Sequence, residues 1–219
     1  MNNAGMDIIE GCAAPLPYSN LDTDQIMPKQ FLRGIDKRGL DRGLLYDMRF
    51  DETGAEKPEF ILNRMPWRQA SILVGGPNFG CGSSREHAVW GLLQYGIRAV
   101  IAPGFAEIFF SNAMNNGLLL VALDEARVQA LLAQVADPAR ARLRIDVRHG
   151  RIDAGSGGLA DFALSARHRE MFLHGRDMVG ATLAQQAAID AYEARHWRAR
   201  PWLKDNARKA LAADTAAGS

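Results

Sequence analysis

Cysteine is scarce in this chain: Cys12 and Cys81 are the only two among 219 residues, far apart and in no C-x-x-C pair. That excludes a disulfide framework and a complete all-cysteine metal site, and it fits a reducing compartment. Charge of one sign is also lacking. Lysine and arginine total 26, aspartate and glutamate 25, for a net charge of +1. Nothing general therefore draws the chain to nucleic acid or to an anionic membrane, and any such site has to be local. No apolar run is long enough to span a bilayer, and the opening MNNAGMDIIEG has no basic stretch leading into an apolar one. The expectation is a soluble, cytoplasmic protein. No internal repeat is present.

What is present looks globular. Hydrophobic residues make up 47% and charged residues 23%, values of a packed chain rather than a disordered one. The length suits one domain of ordinary size, or one domain with an appendage. Residues 20–50 mix turn signals (Asn20, Asp22, Asp24, Pro28, Gly34, Gly39, Gly43) with short apolar runs, as loops wrapped on a core do. From residue 70 the pattern sharpens. Residues 71–74 read as a buried strand, 84–95 as a helix closed by Gly96, and 98–102 as a second strand, a βαβ unit with parallel strands. The rhythm repeats with a helix over 106–115, Gly117 as its stop, a strand over 118–122, and a helix capped by Asp124 to about residue 136. Strands over 143–147 and 159–164 flank a glycine-rich turn, and helices follow over 166–173 and 178–194.

Between the first strand and the first long helix lies GPNFGCGSSREHAVW, residues 76–90, with three glycines, two adjacent serines and an arginine. Ser83 and Glu86 have the S-x-x-E spacing of a capping box. A strand, a glycine loop and a helix start offer unpaired amides and a helix dipole to an anion. Three familiar versions fail on one residue each. A phosphate loop needs lysine where Cys81 stands, a dinucleotide fingerprint needs glycine at Arg85, and a nucleophile elbow needs glycine at Glu86. Ser83, Ser84 and Arg85 remain. An arginine fork and free amides suit a small di- or tricarboxylate, while Gly80 and Gly82 let a ligand approach the main chain. The same residues also fit a purely structural loop, with Ser83 as a cap and Arg85 on the surface. His87 reads as a packed core histidine and Cys81 as a small loop residue.

The loop and its continuation, GPNFGCGSSREHAVWGLLQYGIRAVIAPGFAEIFFSNAMNNGLLLVAL, together with NLDTDQIMPKQFL at residues 20–32, resemble the small-subunit family of the 3-isopropylmalate dehydratases, in the aconitase superfamily. The resemblance covers about residues 7–195, with both motifs in the family's order and spacing. It implies an α/β fold: a swivelling β/β/α domain of the aconitase type, with parallel βαβ units and a helical C-terminal segment. It also implies a hydro-lyase of leucine biosynthesis that interconverts 2-isopropylmalate and 3-isopropylmalate through 2-isopropylmaleate. No cofactor is expected in this chain. A 4Fe-4S cluster is expected in a separate large subunit, the obligate partner, and a small carboxylic acid is the substrate.

Motif against motif, Ser83 falls on the family's catalytic base, and Ser84 and Arg85 on its substrate-binding neighbours. Asp24 matches a family carboxylate near the active site and is expected to orient the serine loop. Asp22 reads as an Asx turn. The segment after Pro28, residues 29–33, occupies the place of the family loop that reads the substrate's variable group, with Phe31, Leu32 and Arg33 as its candidate substrate-binding residues. Phe31 and Leu32 fit either an isopropyl pocket or plain core, and Arg33 fits either an extra carboxylate or solvent. Relatives acting on 2-methylmalate and citraconate, or on homoaconitate, would keep the same serine loop. The aconitase-like domain is expected over residues 1–195 and a basic, partly disordered tail over 196–219. Around its start, the stretch ARHWRARPWLK at residues 194–204 interleaves Arg195, Arg198, Arg200 and Lys204 with Trp197 and Trp202. Such a patch fits single-stranded RNA, but a terminal arm lying on this protein or a partner is the reading preferred here, and no nucleic acid or membrane is expected as a partner.

Overall fold

The computed structural model describes residues 5–32, 38–83, 85–155 and 158–206. The chain divides into two compact units, the first ending at Asp177 and the second beginning at Met178.

The first unit is organised by strand β1 (Ile8–Leu16), which changes partner half-way along. Ile8 to Cys12 pair antiparallel with β5 (Arg142–Asp146), whereas Ala13 to Leu16 pair parallel with β2 (Ile72–Gly75). Seven strands result, in the order β4-β3-β2-β1-β5-β6-β7. On one flank β3 (Ala99–Ala102) and β4 (Leu119–Ala122) continue the parallel sheet. On the other, β6 (Arg151–Asp153) and β7 (Leu159–Asp161) continue it antiparallel. The sequences explain the division. Ile-Leu-Val-Gly and Ala-Val-Ile-Ala are apolar throughout and buried at every position, as strands covered on both faces must be. Arg-Leu-Arg-Ile-Asp alternates, burying Leu143 and Ile145 and exposing Arg142 and Arg144, the mark of a sheet with one wet face.

Helices α3 (Glu86–Tyr95), α4 (Glu107–Asn116) and α5 (Glu125–Val135) connect and follow the parallel strands. Gly96 and Gly117 end α3 and α4 in the left-handed conformation, at φ 116° and 80°. Asp124 caps α5 by accepting from the Arg127 amide at 2.9 Å. Buried Trp67 donates its indole N–H to the Val135 carbonyl at 2.9 Å, using an acceptor that the helix end leaves free. Helix α6 (Ala166–His174) completes the unit. The described residues of the 20–50 stretch form only single turns, α1 (Thr23–Ile26), α2 (Tyr46–Arg49) and short 3-10 segments at Lys29–Leu32 and Leu40–Gly43.

Three features depart from the sequence reading. Strand β1 was not anticipated, because Gly11, two alanines and Pro15 carry little strand signal, and proline argues against a central strand. Strand β6 has three residues, too short for its own alternation to register. The helix expected over 178–194 is two, α7 (Met178–Leu183) and α8 (Gln186–Ala199). In this second unit no residue of either helix is buried, and α8 runs across residue 195 into a 3-10 turn at Pro201–Leu203. Residues 196–206 of the expected tail are therefore helix and turn, and residues 207–219 lie outside the described residues. Among the described residues no helix is long and apolar enough to cross a membrane.

Replacing Asp124 with alanine removes the α5 cap, and chemical denaturation is expected to show a loss of about 1 kcal/mol with an unchanged denaturant slope.

Candidate active site

Two segments about sixty residues apart in sequence are joined edge to edge. The first is the turn of α1. Asp22 caps it, its Oδ1 accepting from the Gln25 amide at 2.7 Å while Gln25 Oε1 accepts from the Asp22 amide at 3.0 Å. This reciprocal box was legible as D-x-x-Q. The sequence reading placed a box at Ser83 and Glu86 instead, and the structure corrects it. Helix α3 begins at Glu86, Arg85 is its N-cap, and no side chain caps it. Ser83 lies too early to cap because its carbonyl and hydroxyl are engaged elsewhere. Glu86 is anchored sideways, its Oε1 accepting from Asn116 Nδ2 at 3.0 Å, and Asn116 Oδ1 accepts from the Trp90 indole at 2.9 Å.

The second segment is the glycine loop. The Gly80 amide donates to the Leu21 carbonyl and the Thr23 amide to the Cys81 carbonyl, both at 2.8 Å. The Thr23 hydroxyl donates to the Ser83 carbonyl at 2.7 Å. Cys81 Sγ lies 3.2 Å from the Asn20 carbonyl, and Asn78 Nδ2 donates to Asn20 Oδ1 at 2.8 Å. On its other side the loop is fixed by Phe79, whose amide donates to the Gly104 carbonyl and whose carbonyl accepts from the Ala106 amide. Gly80 and Gly82 have φ of 76° and 89°. A Cβ at Gly80 would collide with the ring of Phe109, so conformation and space both require glycine there.

These contacts bring Ser83, Arg85, Asp24, Gly80 and Gly82 together. Arg85 Nη2 donates to Ser83 Oγ at 3.3 Å, and Arg85 Nη1 lies 2.9 Å from Asp24 Oδ1. That pair is at ion-pair distance but not aligned as a hydrogen bond, and both atoms are shielded from solvent without a hydrogen-bond partner among the described residues. Each therefore keeps an unused bonding direction. Asp24 Oδ2 faces Lys29 Nζ at 3.6 Å, a cation that the sequence reading did not assign. One carboxylate between two cations leaves the cluster one positive charge in excess. Such a place favours the anionic form of a neighbouring oxygen and accepts a carboxylate. Thr23 was also passed over, although its position between Asp22 and Asp24 was a signal.

Other expected residues fall elsewhere or outside the description. Ser84 and Arg33 lie outside the described residues. Phe31 and Leu32 are half-buried against the core, Phe31 with its ring 5.0 Å from that of Tyr46 and close over Gly43. His87 packs on Trp90 with ring centroids 4.7 Å apart. Among the described residues no group of three or more His, Cys, Asp or Glu side chains is placed to hold a metal ion. Cys12 and Cys81 are free thiols on separate elements, and burial pushes the Cys12 thiol up, against the opposing pull of Arg142. They do not fit a 4Fe-4S cluster, which needs several thiolates together.

The family model described as the Aconitase C-terminal domain matches residues 3–126, which include both segments of the site. A chain of Chromobacterium violaceum named 3-isopropylmalate dehydratase small subunit 1 is 66% identical over 197 residues, covering 90% of this chain and 92% of that one. The chain belongs to the 3-isopropylmalate dehydratase small-subunit family. A small subunit from Rhodospirillum centenum is 49% identical, with 89% of this chain and 96% of that one covered. The solved structure of a 3-isopropylmalate dehydratase chain from Methanocaldococcus jannaschii superimposes with a TM-score of 0.59 at 28% identity, covering 85% of this chain and 99% of that one. The family's own C-terminal domain model matches residues 178–206, within the second unit. The curled seven-stranded α/β sheet agrees with the aconitase-type swivel domain expected from the motifs. As a small subunit, the family member implies a large-subunit partner.

Gly80→Ala is expected to cost about 2–4 kcal/mol in chemical denaturation, from φ strain plus overpacking. Gly104→Ala, where a Cβ meets nothing within 4 Å, serves as the near-neutral control.

Proposed function

We propose that the chain is the small subunit of a cytoplasmic two-chain hydro-lyase that interconverts 2-isopropylmalate and 3-isopropylmalate through 2-isopropylmaleate in leucine biosynthesis. The relatives named above support the activity. The observation that carries the residue roles is the Ser83 hydroxyl held beside the Arg85 guanidinium, which is itself held by Asp24.

Dehydration of the malate removes a weakly acidic C–H proton and a hydroxyl. Ser83 Oγ is the base in this reading: it takes the proton at that oxygen and returns it when water is added back with the positions exchanged. A serine hydroxyl is ordinarily far too weakly acidic to serve as an alkoxide. It needs positive charge close by, and Arg85, with Lys29 behind Asp24, supplies that charge. Arg85 also binds a substrate carboxylate, a role that the motif resemblance extends to Ser84. Asp24 fixes the guanidinium plane. Phe31 and Leu32 line the side of the substrate's isopropyl group. In this reading a 4Fe-4S cluster belongs to the large subunit, and departure of the hydroxyl is left to that partner. Neither chain is active alone.

In the reconstituted pair, Ser83→Ala is expected to lower kcat by at least about 10³-fold while the subunits still assemble by gel filtration. Undiminished turnover would remove Ser83 as the base. The wild-type pair is expected to prefer 3-isopropylmalate over 2-methylmalate in kcat/KM by at least about 10-fold, the discrimination that apolar pocket contacts provide. The opposite order would keep the reaction class and overturn the substrate.

A further inference from the structure

We infer that Thr23 is a positioning residue for Ser83, acting through the main chain of the glycine loop. Three polar or charged residues are buried among the described residues: Thr23, Arg49 and Gln134. The last two have architectural partners. Arg49 donates to the Leu44 carbonyl and to Asn63 in the residue 41–63 region, and Gln134 to the carbonyls of Arg140 and Ala154. Thr23 alone directs its hydroxyl at the loop that carries the reacting groups.

Its two donors act as a pair. The amide holds the Cys81 carbonyl at 2.8 Å and the hydroxyl holds the Ser83 carbonyl at 2.7 Å. Between the two anchored carbonyls stands Gly82, at φ 89° the most permissive point of the loop. Pinning the residues on both sides of a glycine removes the freedom that the glycine brings, and so fixes the direction in which the Ser83 side chain leaves the backbone. The neighbouring residue, Asp24, holds Arg85. Consecutive residues of one helical turn thus set the two halves of the site, Thr23 the serine's backbone and Asp24 the guanidinium that meets its hydroxyl. The turn is itself fixed by the Asp22 cap and by fully buried Ile26.

The kinetic consequence rests on the reading of Ser83 as the base; the mechanical one does not. Thr23→Val keeps the shape and removes the donor, and Thr23→Ser restores the donor. In the full-length chain reconstituted with the large subunit, T23V is expected to lower kcat by about 10- to 100-fold, the cost of a misplaced reacting group, with KM changed less than about 3-fold and T23S recovering most of the loss. In the chain alone, iodoacetamide labelling of Cys81, resolved from Cys12 by peptide mass spectrometry, is expected to speed up several-fold in T23V and not in T23S. If T23V does not fold by thermal unfolding, Thr23→Ala takes its place. Wild-type kcat together with unchanged Cys81 labelling would overturn the inference, as would a T23S variant impaired as deeply as T23V. If Ser83→Ala proves active, the base assignment falls, and the Cys81 labelling rates still decide whether the clamp exists.

Discussion

Two reciprocal main-chain hydrogen bonds, Gly80 to Leu21 and Thr23 to Cys81, hold the active-site region together. Each is worth only about 1 kcal/mol net, but their consequence is geometric. They make an irregular turn and a glycine loop behave as neighbouring strands, and the rest of the site is placed by that join. The scaffold behind it is stiff. Phe79 is fully buried and bonded to the chain on either side of Phe105, so the loop is gripped between residues 20–24 and 104–106. Gly80 lies against Phe109 with no room for a side chain. In our proposal the reaction needs the Ser83 hydroxyl in one orientation, and the loop that carries Ser83 follows the parallel strand β2.

Electrostatics follows from the same join. Asp24 stands between Arg85 and Lys29, close to both, and all three side chains keep some exposure. A single carboxylate can order a guanidinium without cancelling the charge of two cations, which suits the oxygen activation and anion binding of our proposal. Arg85 is partly exposed rather than sunk in the core. In our proposal this chain prepares the proton-transfer half of the reaction and the partner completes the other half.

How far the sequence spoke depended on the kind of signal. The parallel strands were legible as unbroken apolar runs, and helices α3, α4 and α5 by Gly96, Gly117 and Asp124 at their ends. β1 was invisible because its place in the sheet is set by tertiary pairing on both edges rather than by its own composition, with Pro15 in the ladder opposite Val74. At the candidate site, the motif resemblance singled out Ser83, Arg85 and Asp24, which the structure brings together. The S-x-x-E spacing misled because a capping pattern reports only local possibility, and Ser83 has a stronger non-local engagement with Thr23. Lys29 and Thr23 escaped because their roles depend on which residues sixty positions away they face.

The central claim is that residues 20–24 and 79–83 are one mechanical unit. Native-state hydrogen exchange of the Thr23 and Gly80 amides tests it most directly, because each bonds to the other segment. The account predicts similar opening free energies for the two amides and a parallel loss of protection when the Asp22 cap is removed by substitution with alanine. Protection factors that differ by orders of magnitude, or a Gly80 amide indifferent to the Asp22 substitution, would contradict it.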